Sequence, residues 1–196
     1  MPFKRTPDKF VGKIGTAELG VGDNKIVLGG TNLNPFYTFD GEIANAPKVG
    51  VEVSDLASEE YLDGLKEFYA GCTTLADYVK KAETIEGCDF ICIRFEGADP
   101  SGENKSVEEC IAELKEAAEV ATKPLVIAGC KNPEKDQELF NKAAELLQGK
   151  NILVMSAVEA NYKQVGASAG LAYGQKVGAE SAVDINLAKQ LNVMIN

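Results

Sequence analysis

The sequence predicts an α/β fold: a TIM-type (β/α) barrel truncated to about five βα units, with an N-terminal β-hairpin. Three observations point there. From Lys48 onward short β-rich runs alternate with helical periodicity, helix start and stop signals fall between them, and polar residues keep one phase within the strands. Alternation alone implies a parallel sheet with right-handed crossovers and leaves closed barrels and open doubly wound sheets both possible. Strand phase favours the barrel.

Residues 1–47 read as an N-terminal arm and a β-hairpin over the barrel floor, and residues 48–196 as the first five units of a (β/α)8 barrel. The hairpin is expected from apolar "KIVLGG" at 25–30 and aromatic "FYTF" at 36–39, inside "NPFYTFDGEIANAP" at 34–47. Asp40-Gly41 would make a turn, and Phe36, Tyr37 and Phe39 would bury against the floor. The stretch precedes the first strand, so its end belongs at the N-terminal face, away from a ligand mouth.

Strands are predicted at 49–53, 89–95, 124–129, 151–155 and 176–180, and helices at about 58–84, 106–121, 133–148, 159–173 and 184–195. Ser106 followed by Glu109 is a capping box, and Asn132-Pro133 reads as N-cap and first helical residue. Gly149 and Gly174 sit where C-terminal caps belong. Gly166, Gly170 and Gly174 form a row that would let a helix lie close to the sheet or a partner.

In the first strand Val49, Val51 and Val53 share one face and Glu52 the other; in the second, Ile91, Ile93 and Phe95 oppose Cys92, Arg94 and Glu96. In the fifth, Glu180 opposes Val177 and Ala179. The apolar faces should pack on helices and the charged faces should share an interior, where charges persist if they pair. An interior Glu52–Arg94 contact is the specific expectation. A (β/α)8 barrel runs to about 250 residues, so 196 residues hold about five units: a fragment, or a barrel completed by a second chain.

Composition narrows the function classes. With 45% apolar and 26% charged residues the chain is ordinary globular material, and its net charge of -10 offers nucleic acid and anionic lipid no overall attraction. No apolar run suits a bilayer, and "MPFKRTPDKF" lacks the apolar core of a secretory signal, so a cytoplasmic address is expected. Histidine is absent, which excludes histidine-based triads, zinc sites and cobalt ligation. Cys72, Cys88, Cys92, Cys110 and Cys130 lack C-x-x-C spacing and read as reduced thiols, with no iron–sulfur cluster in this chain.

"GVGDNK" at 20–25 lacks the third glycine and the preceding strand of a dinucleotide fingerprint. "GADPSGEN" at 97–104 is a turn-rich loop after the second strand, on the functional face of a βα fold. The strand ends offer mostly small hydrogen-bonding side chains. Such a rim suits an amide-rich or heterocyclic ligand better than a polyphosphate, although the same residue types serve βα loops as helix N-caps. No catalytic constellation or metal-ligand cluster emerges.

Five segments carry a family resemblance: "IVLGGTNLNPFYTFDGEIANAPKVGVEVSD" (26–55), "GADPSGENKSVEEC" (97–110), "KPLVIAGCKNPEKD" (123–136), "EANYKQVGASAGLAYG" (159–174) and "DINLAKQLNVMIN" (184–196). They resemble the small, or delta, subunit of the corrinoid iron–sulfur protein of the carbon monoxide dehydrogenase/acetyl-CoA synthase system. The resemblance implies a TIM barrel that shares a corrinoid (cobalamin) with a large corrinoid iron–sulfur subunit. It also implies methyl transfer in the Wood-Ljungdahl pathway, from a methylated pterin, through a pterin methyltransferase, to acetyl-CoA synthase. On that basis the candidate cofactor-binding residues are Asp55, Asp99, Asn132, Ser156, Asn161, Ser181 and Asp184, with no catalytic residue and no metal ligand. Related pterin methyltransferases place Asp and Asn at the ends of strands three and four. Here those ends read Gly129-Cys130-Lys131-Asn132 and Met155-Ser156-Ala157. That departure favours a non-catalytic subunit; the alternatives are a pterin-binding barrel methyltransferase acting directly on a corrinoid protein, and a truncated non-functional fragment.

Overall fold

A computed structural model of the chain describes residues 14–31, 43–56 and 62–195. Two strands, β1 (Thr16–Leu19) and β2 (Ile26–Gly29), form an antiparallel hairpin. Five more, β3 (Gly50–Ser54), β4 (Phe90–Arg94), β5 (Leu125–Ala128), β6 (Leu153–Ala157) and β7 (Lys176–Ala179), form one parallel sheet in sequential order. Sequential order with right-handed crossovers puts every connecting helix on the same face. Among the described residues the sheet is open, with β3 and β7 as its edges, and no closed barrel is formed.

Alternation in the strands dictates which face the helices cover. Val53, Ile93, Ile127 and Val154 sit in register and, with Ile91 on the same face, are buried in one cluster with helix residues Val79, Leu114, Leu139 and Phe140. The opposite face carries Glu52, Cys92 and Arg94, as the strand phase predicts. The Glu52–Arg94 contact is present on this face: Arg94 Nε and Nη2 donate to Glu52 at 2.8 and 2.6 Å.

Helices follow their start signals. The helix α3 (Val107–Val120) begins at the Ser106/Glu109 capping box, and α4 (Pro133–Leu146) begins at Asn132 with Pro133 in its first turn. Gly149 and Gly174 adopt left-handed backbone just past helix ends. One expectation fails: the helix over 58–84 is two helices, α1 (Asp63–Phe68) and α2 (Leu75–Ala82). Gly71 turns the chain at φ +87°, and Thr74 with Asp77 forms a second capping box that starts α2 afresh. Residues 57–61 lie outside the described residues.

The fourth crossover begins as α5 (Tyr162–Val165) and continues as a wider π-type turn over Gly166–Ala172. The glycine row is only partly a packing stripe. A Cβ on Gly170 would meet Val177 of β7 at 3.6 Å, while Gly166 and Gly174 have nothing within 4 Å. The last helix is α6 (Ile185–Ile195). Gln175, buried before β7, donates to the carbonyls of Ala144 and Leu147 and accepts from Ile152 N, tying the end of α4 to the start of β6.

The expected hairpin strand at 25–30 is present as β2, but its described partner is β1. "GVGDNK" is the turn of this hairpin; 36–39 and Asp40-Gly41 lie outside the described residues. Its location is at the N-terminal ends of the sheet strands. Asn151, before β6, donates to the carbonyls of Glu18 and Gly20 at 2.8 and 3.2 Å, and Asn24 donates to Thr122 O, before β5. Among the described residues no helix is long and apolar enough to cross a membrane.

Candidate functional site

At the opposite, C-terminal ends of β4 to β7 the loops enclose a cavity of about 410 Å³, lined by Arg94, Lys131, Asp136, Ser156, Glu159 and Glu180 among others. This is the functional face of a βα sheet, because each strand end there hands over to a loop free to vary.

The β5–α4 loop builds one wall around a buried carboxylate. Asp136 Oδ1 accepts from Cys130 N at 2.7 Å and from the Cys130 thiol at 3.3 Å, and Oδ2 accepts from Lys131 N at 3.0 Å. Lys131 is thereby held in left-handed backbone, φ +70°, at the cavity edge. Any side chain at Gly129 would overlap the Asp136 carboxylate. Burial pushes the Asp136 pKa up, although the loop N–H groups oppose it.

On the cavity floor, hydrogen bonding from Arg94 lowers the Glu52 pKa and the Glu52 carboxylate raises that of Arg94. The guanidinium carries five N–H groups, of which Glu52 takes two. A register shift between Met155 and Ala157 leaves Ser156 as the extra residue of a bulge, which turns it onto the cavity.

Thiols are poor nucleophiles here. Burial pushes Cys92 and Cys130 up to about 11 and Cys110 up to about 12, so all three are protonated near neutral pH. Among the described residues no group of three or more Cys, Asp or Glu is placed to hold a metal ion.

Of the seven residues singled out in the sequence, only Ser156 lines this cavity. The Asp55 side chain is fully buried just past β3, accepting from Gly97 N at 2.9 Å and paired with Lys105 at 3.4 Å. Asp99 closes its own turn through Ser101 N, and Asn132 caps α4 through Lys135 N. Asn161 is buried, accepting from Val158 N and donating to Pro133 O, and Asp184 caps α6 through Asn186 N and Leu187 N. Ser181 is partly exposed next to Glu180, and no cavity described here includes it. Lys131, Asp136 and Glu159 are rim residues that the sequence did not single out, whereas Glu180 lies with Arg94 on the face that strand phase assigned to it. Asp136 in particular looks like an ordinary first-turn helix acid until the preceding loop is seen to wrap it.

Comparison with known proteins covers most of the chain. Residues 16–196 match the protein family described as CO dehydrogenase/acetyl-CoA synthase delta subunit. Three curated relatives are each described as acetyl-CoA decarbonylase/synthase complex subunit delta. That of Methanothermobacter thermautotrophicus is 30% identical over 93% of this chain and 47% of its own length. Those of Archaeoglobus fulgidus and Methanocaldococcus jannaschii are 27% and 28% identical, over 97% and 94% of this chain and 44% and 47% of their own lengths. The chain thus spans less than half the length of these relatives.

Proposed function

The chain belongs to the CO dehydrogenase/acetyl-CoA synthase delta subunit family, and on that premise we propose that it is the corrinoid-contacting subunit of a methyl-carrier protein. In this reading it works in a cytoplasmic complex with a large corrinoid iron–sulfur subunit. A methyl group passes from a methylated pterin, by way of a pterin methyltransferase, to acetyl-CoA synthase. The family match over residues 16–196 carries the reading.

The rim suits part of a corrinoid. Corrin side chains are largely carboxamides, which both donate and accept. The cavity offers donors on Arg94, Lys131 and Ser156 and acceptors on Glu159 and Glu180. At about 410 Å³ it would take an edge of the macrocycle and leave the rest to a partner, as a shared cofactor requires. Bound there, the corrinoid supplies the methyl-carrying chemistry. The chain's residues orient it and keep water from one side.

The same reading treats the five-stranded sheet as an arc of a (β/α)8 barrel, with residues 1–47 at its floor and the units from 48 onward forming its wall. Sequential strand order, helices on one face and an ion pair on the other support that. The β7 edge is where a further strand would add. A self-sufficient pterin methyltransferase is less well supported, because the side chains of Asn132 and Asn161 are already committed to backbone groups.

Co-expression with a corrinoid-bearing large subunit tests the proposal. The expected result is a co-purifying pair that retains corrinoid absorbance, weakened by Ser156→Ala and Lys131→Ala together. A chain that never associates with such a partner would refute it.

A further inference from the structure

Arg94 is a partly satisfied cation inside the rim cavity. Glu52 takes its Nε–H and one Nη2–H, and the other three N–H groups have no partner among the described residues. Its side chain is 23% exposed and its unpartnered nitrogen is not sealed from solvent, so water holds these donors until a ligand displaces it. An acceptor placed in the cavity would complete them.

The charge around the cavity decides which acceptor. Arg94 and Lys131 are cationic, while Asp136, Glu159 and Glu180 line the cavity and Glu52 sits beneath it. With all of these ionised, two positive charges face four negative ones. An anion entering there meets a guanidinium whose charge Glu52 already cancels, and a surplus of carboxylates. An uncharged carbonyl meets neither penalty. A primary carboxamide suits both sets of partners, because its oxygen accepts from Arg94 and its NH₂ donates to Glu159 or Glu180.

We propose that Arg94 is the rim's specificity-determining contact, receiving the carbonyl of an uncharged carboxamide, and that Glu52 is the positioning residue that fixes the guanidinium and cancels its charge. This rests on the corrinoid reading, in which the carboxamide is a side chain of the macrocycle.

The test uses the chain in complex with its corrinoid-carrying partner. Affinity is measured for cobinamide, with its amide side chains, for the same macrocycle hydrolysed to carboxylates, and for a tetrahydropterin as an amide source without a corrin ring. The wild-type complex should prefer the amide form over the carboxylate form by at least about tenfold. Glu52→Gln should cut that preference to about threefold or reverse it, since an uncompensated guanidinium attracts carboxylate. Arg94→Met should weaken amide binding and also lose the preference. Thermal melts establish that both variants fold. Equal wild-type binding of both macrocycles, or a Glu52→Gln preference equal to wild type, overturns the inference while leaving the corrinoid reading intact. Binding of neither macrocycle overturns both, and exclusive binding of the pterin reassigns the amide to that ligand and overturns both as well.

Discussion

The carboxylate of Asp136 occupies the space in which a side chain at residue 129 would begin. Two loop N–H groups, from Cys130 and Lys131, converge on that carboxylate and leave it no room to withdraw. Gly129→Ala should therefore cost about 1–3 kcal/mol in urea unfolding, the range for overpacking a tight site. The double variant with Asp136→Ala should lose less than the sum of the two single changes. Strict additivity would show that the two sites do not compete for space.

Asp136 also makes stability depend on pH. Its folded pKa is raised by burial, so the folded state binds more protons than the unfolded state between the unfolded and folded values. In that window stability falls as pH rises. Asp136→Asn removes the titration, so the wild-type curve should fall relative to the variant as pH rises through the window. Parallel curves would contradict the raised value. The Asn variant should also weaken the hold on Lys131 N, which an amide oxygen accepts less strongly than a carboxylate.

The Glu52–Arg94 pair has the opposite sign. Glu52 is lowered by hydrogen bonding from Arg94, so its contribution is present above the unfolded pKa and lost as pH falls through the folded one. Glu52 is half exposed, which limits the contribution to under about 1 kcal/mol. Urea melts of wild type and Glu52→Gln should differ near neutral pH and converge in acid.

Lys105 holds a harder position. It pairs with the fully buried Asp55 carboxylate at 3.4 Å and with Glu113 at 3.0 Å. Burial works against its charge, but these two acids outweigh it and raise its pKa. Lys105→Met removes the cation and strands the Asp55 carboxylate. A loss of about 3 kcal/mol is expected by chemical denaturation, as for breaking one side of a buried pair. A loss below about 1 kcal/mol would mean that Gly97 N alone suffices for Asp55.

The cysteines give a readout that needs no mutation. Raising Cys92 from 9.0 to about 11 leaves roughly a hundredth of its thiolate at a given pH. Cys92, Cys110 and Cys130 should therefore alkylate slowly in the folded chain and quickly in denaturant, mapped by peptide mass after a timed iodoacetamide pulse. Fast folded-state labelling of Cys130 would indicate that the Asp136 loop opens.

Much of this was legible in the residues themselves. The five βα units follow from periodicity, and the Glu52–Arg94 pair follows from strand alternation, because both signals are local and repeat at fixed spacing. The break between α1 and α2 was written as Thr74-x-x-Asp77, but an unbroken helical period concealed it. The rim was harder. Asn132 and Asp184 follow strands, and a helix start needs the same side chains as a ligand does, while Asn161 is taken up by loop backbone at Val158 and Pro133. Lys131 and Asp136 acquire their roles only when a left-handed residue bends the loop back onto the helix, a turn conformation that periodicity does not reveal.

The hairpin at the floor has a consequence for how the chain is made. Asn151 reaches Glu18 and Gly20 across 133 and 131 residues, and Asn24 reaches Thr122 across 98. The hairpin is synthesised before its anchor points, which lie just ahead of β5 and β6. It must wait, undocked, while the intervening helices and strands assemble. Sealing the sheet's lower end thus waits on the synthesis of Thr122 and Asn151. A nascent chain arrested before Asn151 should leave residues 14–31 open to protease.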